Sequence, residues 1–334
     1  MEVAEDPDQM VVQEYPPFVR IYKSGRVERL KGNDVVPASV DSSSAVSSKD
    51  VAISGDVSAR LFLPNNNDAD PSEEKKKKKL PVLLYVHGGG FVIETPFSPA
   101  YHAYVGSLAA AAGVVAVSVH YRRAPEHPLP AAYDDAWTAL AWVASHADGA
   151  GPEPWLADHA DCTKVFLAGD SAGGNIVHDL LLRAGEGGIA GGIAAHPPVG
   201  AVLVHPYFWG ARPTHAPPGA DPTALWPGME KFWKFVCPNT TGEDDPRTNP
   251  HAGGPAGFAS LAGKRVLVCL AEKDFLTVWG RMYCDALGSG GYYKGTVEML
   301  ESEGEGHVFH LFNPECQKAK EMMSRVVDFI NRDD

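Results

Sequence analysis

Near its start the chain alternates apolar and polar residues. FVRIYKSGRVERL (18–30) does so on both sides of Ser24-Gly25, and DVAISGDVSARLFLP (50–64) does so around Gly55-Asp56. Each stretch predicts a β-hairpin. Beyond residue 80 the pattern changes to short runs that are apolar at every position: LPVLLYV (80–86), GVVAVSVHY (113–121), KVFLAG (164–169), VGAVLVHPY (199–207), KRVLVCLA (264–271) and GTVEML (295–300). Such runs read as strands buried on both faces. Between them, segments near 98–112, 131–147, 172–184, 277–288 and 314–331 carry helical spacing. Buried strands that alternate with helices predict an α/β fold with a mostly parallel sheet covered on both sides. In such sheets the active site lies at the carboxyl ends of the strands.

One segment interrupts the alternation. Residues 208–255 hold Phe208, Trp209, Trp226, Phe232, Trp233 and Phe235 among many prolines and glycines, without a strand signal. A stretch this long inside a compact sheet reads as a lid or insertion. Residues 1–45 precede the regular pattern and are expected to join it, leaving 46–334 as the catalytic domain. There is no internal repeat.

Composition narrows the partners. The 334 residues are 44% hydrophobic and 21% charged, enough for one large α/β domain with an insertion. A net charge of −13 argues against nucleic acid or an anionic membrane as the main partner. MEVAEDPDQM (1–10) lacks the apolar core of a signal peptide, and no apolar run approaches membrane-spanning length. Cys162, Cys237, Cys269, Cys284 and Cys316 are odd in number and lack metal-type spacing. They read as reduced thiols in the cytosol. EEKKKKK (73–79) reads as a solvated loop, with a nuclear signal as the alternative. The sequon Asn239-Thr240-Thr241 has no secretory signal beside it.

LAGDSAGGNI (167–176) surrounds Ser171 with small residues at the junction of a strand and a helix. Gly169-Asp170-Ser171-Ala172-Gly173 fits G-x-S-x-G, in which a sharp turn exposes a nucleophilic hydroxyl. The glycines are expected where neighbouring backbone passes close. The helix that begins here points amide N–H groups at an anion formed beside Ser171. A glycine-rich strand-to-helix turn without chemistry is the plainer alternative.

Acyl transfer also needs donors for an oxyanion and a base for the serine. YVHGGGFV (85–92) ends a strand with three glycines, so the amides of Gly89, Gly90 and Ala172 are the expected donors. A phosphate-binding loop would need a different glycine spacing. His307 in EGEGHVFH follows the last strand, with His310 and His205 as competitors among 13 histidines. The chain order serine, carboxylate, histidine favours His307. Asp274 ends the strand at 264–271 and is placed to orient the imidazole. Glu272 is the alternative carboxylate, and helix capping is the alternative role for Asp274.

HGGGF (87–91), YRRAPEHPLPAAYDD (121–135), GDSAGGNI (169–176), AEKDFL (271–276) and GEGHVF (304–309) together resemble the plant carboxylesterases of the hormone-sensitive-lipase-like α/β-hydrolase family. That group includes 2-hydroxyisoflavanone dehydratase-like proteins and gibberellin receptors. The similarity spans nearly the whole chain and its motifs are specific. It implies an α/β-hydrolase fold with Ser171, Asp274 and His307 as catalytic residues, and an oxyanion hole at Gly89, Gly90 and Ala172. It further implies a cap built from the N-terminus and 208–255. Phe91, Trp226, Phe232 and Trp233 are the candidate substrate contacts, with the lid's own core as the equal alternative for the cap aromatics. The reaction implied is cofactor-free and metal-free hydrolysis of small to medium, partly apolar esters by a cytoplasmic monomer or homodimer. Elimination on a plant metabolite with the same residues is the alternative. Gibberellin receptors lack the catalytic histidine, which this chain keeps. One departure is Arg123, where the family pattern YRLAPEHP has leucine.

Overall fold

A computed structural model describes residues 6–40, 44–65, 78–149, 151–187, 195–210, 226–289 and 291–332. Most of the lysine run, and residues 211–225 of the expected insertion, lie outside the described residues. The first hairpin expected from sequence is present, with one strand more. β1 (Val11–Tyr15), β2 (Val19–Tyr22) and β3 (Val27–Arg29) form a small antiparallel sheet. The second hairpin, β4 (Val46–Ala52) with β5 (Ser58–Pro64), is the antiparallel edge of a large sheet. β5 pairs antiparallel with β7 (Val115–His120). The rest of that sheet is parallel: β6 (Leu80–Val86), β8 (Ala160–Asp170), β9 (Gly200–Val204), β10 (Arg265–Ala271) and β11 (Thr296–Ser302). The spatial order is β11-β10-β9-β8-β6-β7-β5-β4.

The all-apolar strands serve two cores at once. Successive side chains of a strand point to opposite faces. On β6, Val82, Leu84 and Val86 enter one core, whereas Leu83 and Tyr85 enter the other. On β10, Val266, Val268 and Leu270 face the first, and Leu267, Cys269 and Ala271 the second. Helices cover both. α1 (Pro99–Ala112) and the C-terminal α9 (Gln317–Asn331) bury apolar side chains in the second core. α2 (Ala131–Ala144), α4 (Ala172–Gly185) and α7 (Thr277–Ser289) bury theirs in the first. Three short helices were not expected from sequence: α3 (Pro154–His159), α6 (Gly254–Ala259) and α8 (Phe309–Phe312). A longer one, α5 (Trp226–Val236), occupies the segment in which the sequence showed only aromatics and breakers.

Register decides where the loops go. Val86 pairs with Gly169, Asp170 with Val204, and Ala271 with Ser302. The chain therefore leaves β6, β8, β9, β10 and β11 along one edge of the sheet. Among the described residues, five non-glycine positions have left-handed φ: Phe91, Glu94, Ser171, His205 and Val308. All five lie in segments that leave this edge. Strained backbone of this kind concentrates at functional sites.

Candidate active site

Ser171 sits between β8 and α4 with φ 52° and ψ −119°. Its own backbone holds the strained turn. The amide donates to the Val204 carbonyl at 2.8 Å, and the carbonyl accepts from Asn175 N–H (3.1 Å) and Tyr207 N–H (2.9 Å). The glycines around it are small for a steric reason. A Cβ at Gly169 would lie 2.6 Å from the Gly173 carbonyl, and one at Gly173 would fall onto the carbonyl of Val86. Close approach of β6 to the turn thus requires both glycines.

His307 follows β11 and reaches Ser171 from the opposite side. Its Nε2 is 2.9 Å from Ser171 Oγ, and its Nδ1 is 2.8 Å from Asp274 Oδ2. Asp274 is buried, and its other oxygen accepts the Leu276 amide at 2.9 Å. Glu272, the rival carboxylate, instead accepts the Gly304 amide (2.7 Å) and braces the turn before His307. His310, the rival imidazole, is buried against Tyr104, and burial holds its pKa down at about 3. His205 is buried at the end of β9 and serves the loop: its Nδ1 accepts the Val308 amide at 2.9 Å. Ligand-capable atoms of His205, Asp274 and His307 lie within 4.8 Å of one another. Both nitrogens of His307 are already engaged by Asp274 and Ser171.

The glycine arm after β6 completes the surroundings. Gly89 and Gly90 have φ of 96° and 60° and line the same cavity as Ser171 and His307. Their amides, and that of Ala172, donate to no acceptor among the described residues. The arm is pinned carbonyl by carbonyl. Gly89 O accepts from the amides of Val92 and Ile93, Phe91 O from Ala124 N–H, Val92 O from Arg29 Nε, and Glu94 O from Arg123 Nη1. A Cβ on Gly89 would fall onto the Ile93 carbonyl. On Gly90 it would meet the Phe232 ring at 3.1 Å.

Sequence reasoning missed Asp170, although it stands beside the serine. Tyr85 and Tyr101 both donate hydroxyl hydrogen bonds to it, at 2.9 and 2.7 Å. Tyr101 in turn accepts the Gly88 amide at 2.9 Å, which ties Asp170 to the arm. Burial pushes the Asp170 carboxyl up to about 6, against the lowering effect of the two tyrosines. The acidic residue inside G-x-S-x-G was the available signal.

The cavity measures about 600 Å³. Tyr15 and Phe18 come from the N-terminal sheet and its turn, Met229 and Phe232 from α5, and Phe275 and Phe312 from beside His307. Glu14, Lys31 and Glu94 add charge to a mostly apolar wall. Of the aromatics expected at substrate, Phe232 lines the cavity and also packs on Tyr15 and Phe18. Phe91 and Trp233 do not. Both are fully buried behind the wall, edge to face at 5.9 Å, with Trp233 Nε1 donating to Thr240 Oγ1 at 2.7 Å. The Trp226 side chain lies outside the described residues.

Comparison with known proteins shows the family and the fold. Residues 83–311 match a family described as having the alpha/beta hydrolase fold. Probable carboxylesterase 13 of Arabidopsis thaliana is 44% identical, with 98% of this chain and 99% of that protein covered. The amyloplastic tuliposide A-converting enzyme b3 of Tulipa gesneriana is 47% identical over 97% of this chain and 80% of its own length. An esterase of Pyrobaculum calidifontis superposes with a TM-score of 0.63 at 27% identity, covering 85% of this chain and 84% of the other. No helix among the described residues is long and apolar enough to cross a membrane. The chain belongs to the α/β-hydrolase fold family and, within it, to the hormone-sensitive-lipase-like plant carboxylesterases.

Proposed function

We propose that the protein is a serine carboxylesterase whose acyl-enzyme forms on Ser171, with His307 as base and Asp274 as its orienting carboxylate. The observation that carries this reading is the unbroken hydrogen-bonded path Ser171–His307–Asp274 opening into the cavity. His307 Nε2 takes the serine proton as Oγ attacks the ester carbonyl, and the amides of Gly89, Gly90 and Ala172 receive the oxyanion. The alcohol leaves with the proton from His307. Water then repeats the cycle on the acyl-enzyme and releases the acid. Every proton and charge in these steps is handled by a side chain or a backbone amide of the chain.

The substrate class is a small to medium ester with an apolar part, because aromatic and aliphatic side chains dominate the wall. The N-terminal residues and α5 meet through Tyr15, Phe18, Phe232 and Phe235, and act as the cap. Tuliposide A, for which a 47% identical relative is named, is the second substrate reading. The five free thiols, four of them buried, fit a reducing compartment such as the cytosol. A Ser171→Ala variant should lose kcat on p-nitrophenyl butyrate by roughly 10⁴-fold or more. Activity within tenfold of wild type would remove Ser171 from the mechanism. Product analysis on a 2-hydroxyisoflavanone separates elimination from hydrolysis.

A further inference from the structure

We propose that an arginine-lined pocket behind the glycine arm is a binding site for a small oxyanion of the phosphate class, free or as a phosphomonoester. Arg29, Arg122 and Arg123 converge on a cavity of about 210 Å³, separate from the one that holds Ser171. Two of the three have carboxylate partners. Arg29 lies 2.7 Å from Glu126, and Arg122 lies 2.7 Å from the buried Asp135. Arg123 pairs with no carboxylate among the described residues. Its Nη1 donates to the Glu94 carbonyl at 2.9 Å, and Glu94 and Glu126 act on it only from a distance.

This half-buried guanidinium stays charged at any working pH. Burial and the neighbouring Arg29 both oppose its charge. A guanidinium carries five N–H donors, and among the described residues the protein occupies one of them, at the Glu94 carbonyl. A guanidinium fork matches the oxygen spacing of phosphate and can bind it with two parallel bonds. His120 also lines the pocket, but burial holds it at about 4, so it is neutral at pH 7 and adds no competing charge. The exposed rim acids Asp56 and Glu126 limit affinity and leave the pocket open to solvent.

The occupant would sit one backbone layer from the larger cavity. Arg29 and Arg123 hold the carbonyls of Val92 and Glu94, and Glu94 lines the larger cavity. Binding itself does not depend on the esterase reading and can be measured without turnover.

The test is calorimetric titration of the full chain with sodium phosphate, against sodium chloride at matched ionic strength. Saturable binding at one site is expected. Arg123→Leu should weaken it at least tenfold, and Glu126→Gln should tighten it by removing a rim carboxylate. Glycerol 3-phosphate run alongside distinguishes a phosphomonoester from the free anion by which of the two binds more tightly. Absence of saturable phosphate binding in the wild type, or wild-type affinity in Arg123→Leu, overturns the proposal. Should Arg123→Leu fail to fold, unchanged affinity in Glu126→Gln does so.

Discussion

Two histidines three residues apart, His307 and His310, meet opposite surroundings. His307 is partly exposed to the cavity with both nitrogens engaged, whereas His310 is buried with neither nitrogen bonded. His307→Val should therefore lower kcat by roughly 10⁴-fold or more while leaving the affinity for a substrate analogue within a few fold. His310→Ala should keep kcat within a few fold and lower the melting temperature, because it opens a void beside Tyr104. A His310 variant as inactive as the His307 variant would reverse the assignment. Gly90→Val should cost about 10²–10³ in kcat, the range for loss of an oxyanion donor. The obstacle to a side chain there is the Phe232 ring together with a left-handed φ. Ser171 was legible because its glycines announce close packing. Asp170 was not, because Tyr85 and Tyr101 reach it across 85 and 69 residues of chain, which no local pattern records.

At the scale of elements, the segment with most to do at the cavity was the hardest to read. In α5, Met229, Trp233 and Val236 form a buried helical stripe at spacings of four and three. The prolines and glycines around it hid that short periodicity. The helix turns its two faces to different tasks. Trp233 anchors it, with its indole bonded to Thr240 and its ring buried on Phe91 and Tyr207. Phe232 faces the cavity and the N-terminal sheet. Phe232→Ala should accordingly change the ratio of kcat/KM for acetyl and octanoyl esters with little change in melting temperature. Trp233→Ala should do the reverse, destabilising by about 3–5 kcal/mol with the ester ratio preserved. Equal ester ratios in both variants would contradict this division. The parallel strands were read closely from sequence because burial on both faces leaves an uninterrupted apolar run. β1 was missed because most of its residues are exposed and carry no such run.

For the whole molecule, burial of ionisable groups sets a pH limit. Burial lowers the pKa of His87, His120, His178, His205 and His310, to about 4 for His120 and about 3 for His178 and His310. A histidine whose folded pKa lies below its unfolded value of about 6.5 stabilises the fold above that pH, and the contribution is lost as pH falls toward the folded pKa. Asp170 and Asp179, both raised to about 6, act oppositely: their contribution is full below the unfolded value and fades as pH rises through 6. Five histidines outweigh two aspartates between these limits, so the urea midpoint should fall from pH 7 to pH 5. A constant or rising midpoint would contradict the burial assignment. The proposed site also depends on the whole molecule, because Gly89, Gly90, Ser171, Asp274 and His307 come together only when four strand ends align in register. The most direct measurement is acid quench of the enzyme mixed with p-nitrophenyl butyrate, followed by peptide mass spectrometry. One butyryl group is expected, on the peptide that contains Ser171, and absent from Ser171→Ala. A butyryl group on another residue that forms and decays at the rate of turnover would contradict it.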